Sequence, residues 1–195
     1  MTDRLTRIVT RTGDQGQTGL ADGSRLPKHH PRIEVMGDVD ELNSWIGLLL
    51  ADLRAYGPLP EPAQEIEPLL QSIQQDLFDL GGSLSLPGQS LLRIERIAAL
   101  DAAIERLNAR LPPLREFVLP GGSHLIAIAH LSRTVARRAE RHWVALAAAE
   151  AGLESGMQYL NRLSDFLFVA GRSLASATAT QEALWRGSQA GGRSA

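Results

Sequence analysis

The sequence predicts an all-α protein, a five-helix antiparallel bundle with an irregular Gly/Thr-rich N-terminal segment. Apolar residues recur at alternating spacings of three and four from Val35 onward, as they do on one face of a helix. Segments rich in Gly and Pro divide this pattern into five stripes, and no stretch of the same region alternates with a period of two. Long helices joined by short loops must bury such stripes against one another, which predicts a bundle.

The predicted helices follow the five stripes in chain order. Pro68 lies inside the second stripe, so that helix either begins near Pro68 or bends there, because proline cannot donate the helical hydrogen bond. Ser132 and His142 interrupt the fourth stripe, and this position predicts that His142 lies in the core. The stripes cover residues 35–53, 66–84, 97–111, 125–149 and 160–177.

The length of the chain predicts one domain. A chain of 195 residues has the usual size of a single domain and can bury its own core. We therefore expect one domain over residues 1–195, with an irregular head at 1–30 and the helical bundle at 31–178. The tail at 179–195 is rich in Gly, Ser and Ala and is expected to be mobile.

The composition argues against several classes of protein. The chain has 20 basic and 22 acidic residues, so no overall field attracts nucleic acid or a membrane surface. Cysteine is absent, which excludes disulfides, thiolate metal sites and a cysteine nucleophile. No histidine pair has metal-ligand spacing, so no metal held by the protein is predicted. The N-terminus lacks an apolar stretch, and no run of about 20 apolar residues occurs, so we expect a cytoplasmic protein.

The head contains a cluster of small and polar residues from Thr10 to Thr18. A glycine such as Gly13 lets backbone N–H groups converge on an anion, and threonine hydroxyls add further donors. Arg11 and Lys28, the one lysine of the chain, would neutralise the charge of that anion. The same composition is ordinary for a surface turn, so the residues alone leave both interpretations open.

The fourth predicted helix carries an arginine row, Arg133, Arg137 and Arg141, at a spacing of four residues. Arg138 and Glu140 lie beside it. Such a row is either a solvated helix face or a binding surface for phosphates or carboxylates, which the planar guanidinium matches with two hydrogen bonds.

Acidic and aromatic residues elsewhere offer partners for a site near this row. Asp40 and Asp165 could pair with the arginine row, within one subunit or across an interface. Asp38-x-x-Glu41 has the spacing of a capping box, which predicts a capping role for Asp38. Phe117 lies in a Pro-bounded linker between two predicted helices, where an aromatic side chain could point into a pocket.

Taken together and in order, these motifs resemble the PduO-type ATP:cob(I)alamin adenosyltransferases. The resemblance extends from about residue 8 to residue 172. The matching motifs are Thr10-Arg11-Thr12-Gly13-Asp14-x-Gly16-x-Thr18 with Lys28 after it, Gly37-Asp38-Val39-Asp40-Glu41-Leu42-Asn43-Ser44, Phe117-Val118-Leu119-Pro120-Gly121-Gly122, Arg133-Thr134-x-x-Arg137-Arg138-Ala139-Glu140-Arg141 and Asn161-Arg162-Leu163-Ser164-Asp165.

The resemblance implies a corrinoid adenosyltransferase, which moves the 5′-deoxyadenosyl group of ATP to cob(I)alamin and releases triphosphate. It implies a homotrimer with active sites between adjacent subunits, and Mg²⁺ that binds with ATP rather than through protein ligands. An electron donor and an adenosylcobalamin-dependent enzyme are further candidate partners, whereas nucleic acid and membranes are not expected.

The resemblance also implies roles for individual residues. Arg137, Asp40, Arg133 and Phe117 would be the catalytic residues. Of these, Phe117 would lie beside the lower face of cobalamin, and Arg133 would form a salt bridge with Asp40 that closes the site, so Phe117, Asp40 and Arg133 are the predicted cobalamin-binding residues. The predicted ATP-binding residues are Thr10, Arg11, Thr12, Gly13, Thr18, Gly19, Lys28, Arg137, Arg138, Glu140, Arg141 and Asn161.

Two alternative functions use the same residues differently. A nucleotide sensor or carrier would bind ATP without turnover. A nucleic-acid-binding bundle would use the arginine row, but the formal charge of −2 and the position of Glu140 beside the row argue against it.

Overall fold

The computed structural model describes residues 9–187 and has the predicted all-α architecture. Residues 1–8 of the predicted head and 188–195 of the predicted mobile tail lie outside the described residues. The elements in chain order are β1 (Gln17–Gly19), β2 (Arg25–Pro27), α1 (Pro31–Tyr56), a short 3₁₀ turn (Ala63–Glu65), α2 (Ile66–Ser85), α3 (Glu95–Asn108), α4 (His124–Ala147) and α5 (Glu154–Ala177).

The head contains a β-hairpin that the sequence analysis did not predict. β1 and β2 pair antiparallel, with Thr18 opposite Leu26. Each strand has three residues, which is too short to show an alternating pattern in the sequence. The backbone N–H of Ala21 donates to the carbonyl of Ser85 at 3.0 Å, so the hairpin is attached to the end of α2.

Helix boundaries follow from local chemistry. Pro31 occupies the first turn of α1, and the ring of His30 caps this turn by accepting the backbone N–H of Arg32 at 3.1 Å. Gly57 follows the last turn with a φ of 96°, a conformation that glycine adopts without strain. α2 begins directly after the 3₁₀ turn, so Pro68 lies in its first turn, where the missing N–H costs nothing.

Two ion pairs at opposite ends show that α1 and α4 run antiparallel. Arg32, near the start of α1, pairs with Glu150, just after α4. Asp52, near the end of α1, lies 2.5 Å from His124 at the start of α4.

The apolar stripes meet in the core between the helices. The largest fully buried side chains are Trp143, Tyr159, Phe166, Leu42, Ile46, Leu49, Ile66, Leu70, Ile73, Leu77, Leu80 and Leu84.

α4 and α5 pack closely at the start of α5. A Cβ atom at Gly156 would lie 2.0 Å from a ring carbon of Trp143, so the indole occupies the space that a side chain would need. The indole N–H of Trp143 donates to the carbonyl of Leu153 at 2.8 Å. None of the helices in the described part of the chain is long and apolar enough to cross a membrane.

Candidate active site

The segment from Thr10 to Lys28 forms a loop that gathers donors and positive charge. The hydroxyl oxygens of Thr10 and Thr12 lie 3.0 Å apart, and Arg25 donates to the carbonyl of Thr12 at 2.8 Å. The ammonium of Lys28 lies against the backbone of Gly13. A Cβ atom at position 13 would be 3.2 Å from Nζ of Lys28. Hydroxyls, exposed backbone and an ammonium group are what a polyphosphate needs.

Arg11 adopts a strained backbone conformation in this loop. Its φ is 59°, in the left-handed region that residues other than glycine rarely adopt and that is more frequent at functional sites. The Arg11 side chain is exposed. Thr18 and Gly19 lie on β1 of the hairpin, so the structure brings the predicted ATP residues of the head into one region.

The arginine row is not uniformly solvated. Arg137 and Arg141 are exposed, and Arg141 donates to the carbonyl of Arg137 at 3.0 Å. Arg133 is half-buried, and its Nε is buried without a hydrogen-bond partner among the described residues. Burial lowers the pKa of Arg133, and the nearby charge of Arg137 lowers it further. The row therefore ends in a partly desolvated cation that lacks an acceptor.

Arg138 lies in an ion-pair cluster within the chain. Its Nε donates to Asp38 at 2.8 Å and its Nη2 donates to Glu41, and the bond to Asp38 raises the pKa of Arg138. Nδ1 of His142 lies 2.5 Å from the other oxygen of Asp38. The predicted capping role of Asp38 is wrong, because α1 begins at Pro31, about two turns earlier. The predicted core position of His142 is also wrong, because its side chain is 41% exposed and contacts Asp38.

Glu34 lies beside this cluster. Glu34, Asp38 and His142 offer ligand atoms within 4.8 Å of one another, a set that spans two helices and that spacing within one helix does not predict. Both carboxylate oxygens of Asp38 already lie within hydrogen-bond distance of Arg138 and His142. The geometry therefore supports an ion-pair network at this position.

Two other predicted ATP residues meet between α4 and α5. Asn161 Nδ2 donates to Glu140 at 2.8 Å, and Arg162 donates to the side-chain oxygen of Asn161 at 2.9 Å. Asp165 is exposed on α5 and forms no ion pair with the residues that the structure describes.

Phe117 and Arg133 line the same groove. The groove has a volume of about 510 Å³ and lies beside the α3–α4 connection, and Phe168 of α5 also lines it. Phe117 is 77% exposed, and its ring meets Trp185 edge-on, with 6.4 Å between ring centroids and 70° between ring planes. His130, one turn before Arg133, is buried, its Nδ1 has no hydrogen-bond partner within residues 9–187, and burial lowers its pKa.

Asp40 is exposed on α1 and forms no ion pair within the described part of the chain. The salt bridge between Arg133 and Asp40 is therefore not formed inside one subunit and stays a prediction for two adjacent subunits. Similarly, no hydrogen bond or ion pair between described residues joins the loop at 10–28 to α4. Among the described residues, the candidate ATP residues of the loop and those of α4 are therefore not joined by a direct polar contact.

Sequence reasoning missed several residues that shape these regions. Arg25 holds the loop at residues 10–28, the head loop, by donating to the carbonyls of Thr12 and Gln17, and no sequence motif marks Arg25. Arg172 is buried in α5 and contacts Glu182 and the carbonyl of Pro112. Arg172 lies about 200° around the helix from Ala170 and from Leu174, on the face opposite the apolar stripe, so the sequence pattern gives no signal of its burial. Trp185 contacts Phe117 through tertiary structure, and no motif marks it.

Comparison with known proteins places the chain in one family. The family model described as cobalamin adenosyltransferase matches residues 8–174. A cobalamin adenosyltransferase of Cupriavidus metallidurans is 53% identical over 186 residues, with 95% of this chain and 97% of the relative covered. A corrinoid adenosyltransferase of Mycobacterium leprae is 46% identical over 198 residues, with coverages of 95% and 98%.

Solved structures agree with this assignment. A variant PduO-type ATP:corrinoid adenosyltransferase from Lactobacillus reuteri, complexed with cobalamin and ATP, has a TM-score of 0.83 and 33% sequence identity. The match covers 92% of this chain and 99% of that one. The chain therefore belongs to the cobalamin adenosyltransferase family and is an enzyme of its PduO-type corrinoid adenosyltransferase group.

Proposed function

We propose that this corrinoid adenosyltransferase forms its active site between adjacent subunits of a homotrimer and transfers the 5′-deoxyadenosyl group of ATP to cob(I)alamin. The observation that carries this proposal is the groove that Phe117 shares with Arg133, whose buried Nε has no acceptor among residues 9–187. A desolvated cation is costly unless it is paired, so we expect an acceptor from outside the chain. Asp40 of the adjacent subunit, exposed and unpaired within its own described chain, would supply it.

The head loop and the exposed arginines are proposed to bind the triphosphate of ATP. When the Co(I) electron pair attacks C5′ of the ribose, the C5′–O bond breaks and its electrons leave with the triphosphate. Lys28 and Arg137 would stabilise this growing negative charge, as preorganised cations do at a leaving group. Attack at carbon requires the ribose to face the corrinoid, which is a positioning task for the residues around it.

Mg²⁺ is proposed to bind with ATP. The predicted ATP residues are mainly donors and cations, whereas Mg²⁺ prefers oxygen ligands. Glu140 is the one carboxylate among them, and it accepts a hydrogen bond from Asn161. The donor set therefore fits an ion held by phosphate oxygens, where it would add positive charge next to the leaving group.

Phe117 is proposed to cover the lower axial face of the corrinoid. Reduction of Co(II) to Co(I) is difficult while an axial ligand is bound, and an apolar ring at that position excludes water and the dimethylbenzimidazole base. The exposure of Phe117 supports this role, because 77% of the residue is free to contact a ligand. The Lactobacillus reuteri relative was solved with cobalamin and ATP, which supports a site for two substrates in this fold.

The reaction also implies partners. Reduction of Co(II) to Co(I) needs one electron, which we propose that a separate donor supplies. Adenosylcobalamin would pass to an enzyme that depends on it. An ATP-consuming reaction on a strongly reduced corrinoid also suits the reducing cytoplasm, where we propose that the protein acts.

The direct test is an anaerobic assay with chemically reduced cob(I)alamin and Mg-ATP. We expect the absorbance change of adenosylcobalamin formation and one free triphosphate for each turnover. ATP binding without either product would indicate a sensor or carrier instead. Activity in a protein that stays monomeric at assay concentration would overturn the intersubunit site.

A further inference from the structure

The residues next to Phe117 in the chain do not pack around its ring. It lies in the connection between α3 and α4, where Pro112, Pro113 and the surrounding residues are largely exposed. The ring of Phe117 nevertheless has a defined neighbour, since Trp185 meets it edge-on at 6.4 Å. This geometry is the favoured arrangement of two aromatic rings.

Backbone pairing fixes the same two residues. Val118 and Leu184 form an isolated antiparallel bridge, which places Phe117 directly opposite Trp185. The backbone N–H of Trp185 donates to the carbonyl of Phe117 at 2.8 Å, and that of Leu119 donates to the carbonyl of Ala183 at 2.8 Å. The segment around Trp185 therefore acts as a second strand that holds the segment of Phe117.

Arg172 attaches both segments to the bundle. It is 4% exposed, and its Nη2 donates to the carbonyl of Pro112 at 2.9 Å. Its Nε donates to the carboxylate of Glu182 at 3.2 Å, three residues before Trp185. A buried guanidinium that contacts two otherwise exposed segments fixes their relative position, and the loss of one partner leaves a buried charge unpaired.

We propose that Arg172 and Trp185 are positioning residues that hold the ring of Phe117 in the orientation needed at the corrinoid. This inference rests on the proposed role of Phe117. Trp185 sets the ring through its edge contact and its backbone hydrogen bond. Arg172 holds the strand of Trp185 against the strand of Phe117.

The test compares variants by the absorption spectrum of bound cob(II)alamin in the presence of ATP. The four-coordinate fraction is the share of bound cob(II)alamin without an axial ligand. We expect Trp185→Ala to reduce this fraction about threefold and kcat/KM for corrinoid about tenfold, with the KM for ATP within about twofold of wild type. Trp185→Phe keeps an aromatic edge and is expected to recover most of the loss. Phe78→Ala is the matched control, because Phe78 is 70% exposed on α2, outside the groove.

The ion pair is tested through its half-buried partner Glu182 as well. Arg172→Gln is expected to act like Trp185→Ala. Glu182→Gln removes the charge of the acceptor, while its amide oxygen can still accept from Arg172, so the cost of the buried guanidinium stays limited and the test stays valid if the Arg172 variant does not fold. A four-coordinate fraction in both Trp185→Ala and Glu182→Gln equal to that of Phe78→Ala would overturn the proposal.

A corrinoid-free measurement separates this proposal from the proposed function. Acrylamide quenching measures the accessibility of Trp185, whose fluorescence is the difference between a protein and the same protein carrying Trp185→Phe. This quenching should rise about twofold in Glu182→Gln relative to wild type. Unchanged quenching would overturn the positioning role even if wild type is active. Increased quenching in an enzyme that makes no adenosylcobalamin would instead reject the proposed function and leave the contact established.

Discussion

Asp38 and Asp40 lie two residues apart on α1 and have opposite surroundings. Asp38 is 5% exposed and lies within hydrogen-bond distance of Arg138 and His142, whereas Asp40 is exposed. We expect Asp38→Asn to lower the free energy of unfolding by about 1–2 kcal/mol, because it removes the charged acceptor of Arg138, whose side chain is 36% exposed and still pairs with Glu41. Asp40→Asn should lower stability less, because Asp40 is exposed within its own chain, and should weaken corrinoid binding about tenfold through loss of the intersubunit salt bridge. Urea unfolding and corrinoid titration measure the two effects, and equal destabilisation by both variants would contradict this division.

Arg137 offers a second test at the residue scale. Its side chain is exposed and makes no ion pair within the described chain, so its removal should not affect folding. We expect Arg137→Ala to lower kcat about 100-fold, the usual cost of a lost charge stabiliser, with the melting temperature unchanged. Arg93→Ala is the control, because the Arg93 side chain is 77% exposed outside the proposed site. A lower melting temperature together with a wild-type kcat would refute the assigned role.

At the scale of elements, Gly156 determines how closely α5 approaches α4. Trp143 fills the space of its missing side chain, so Gly156→Ala should force the indole to move. We expect a loss of about 2 kcal/mol in the free energy of unfolding, as overpacking of a core typically costs. Gly81→Ala on α2 is the matched control, because no atom lies within 4 Å of its Cβ position. That variant should gain up to about 1 kcal/mol from helix propensity. A loss in Gly81→Ala as large as in Gly156→Ala would contradict the packing argument.

The elements also show what a sequence can predict. Helices α1, α2, α4 and α5 follow the apolar stripes because their period survives over several turns. The hairpin was missed because three residues carry no period. The environment of Asp38 was misjudged because its partners lie about 100 residues away on α4. Motif resemblance could name Phe117 and Arg133, but their common groove depends on tertiary packing.

At the scale of the whole molecule, one chain leaves several groups without partners. Arg133 lacks an acceptor for Nε, and Asp40 lacks a cation within the described residues. Leu131 and Val144, both on α4, are 45% and 44% exposed. The unpaired Arg133 and Asp40 suit contacts with another copy of the chain. We expect light scattering to give about three times the chain mass of 21.1 kDa.

Mixed oligomers test whether one site uses two chains. If Lys28 and Arg137 of one site come from different subunits, Lys28→Ala and Arg137→Ala each inactivate every site in a homogeneous trimer. Random mixing of the two variants then creates sites with an intact loop from one chain and an intact α4 from the next. About a quarter of the interfaces should have this combination, so co-expression should recover about a quarter of wild-type turnover. Each variant expressed alone is the control. Recovery no greater than the average of the separate variants would place both residues of a site in one chain and contradict the intersubunit arrangement.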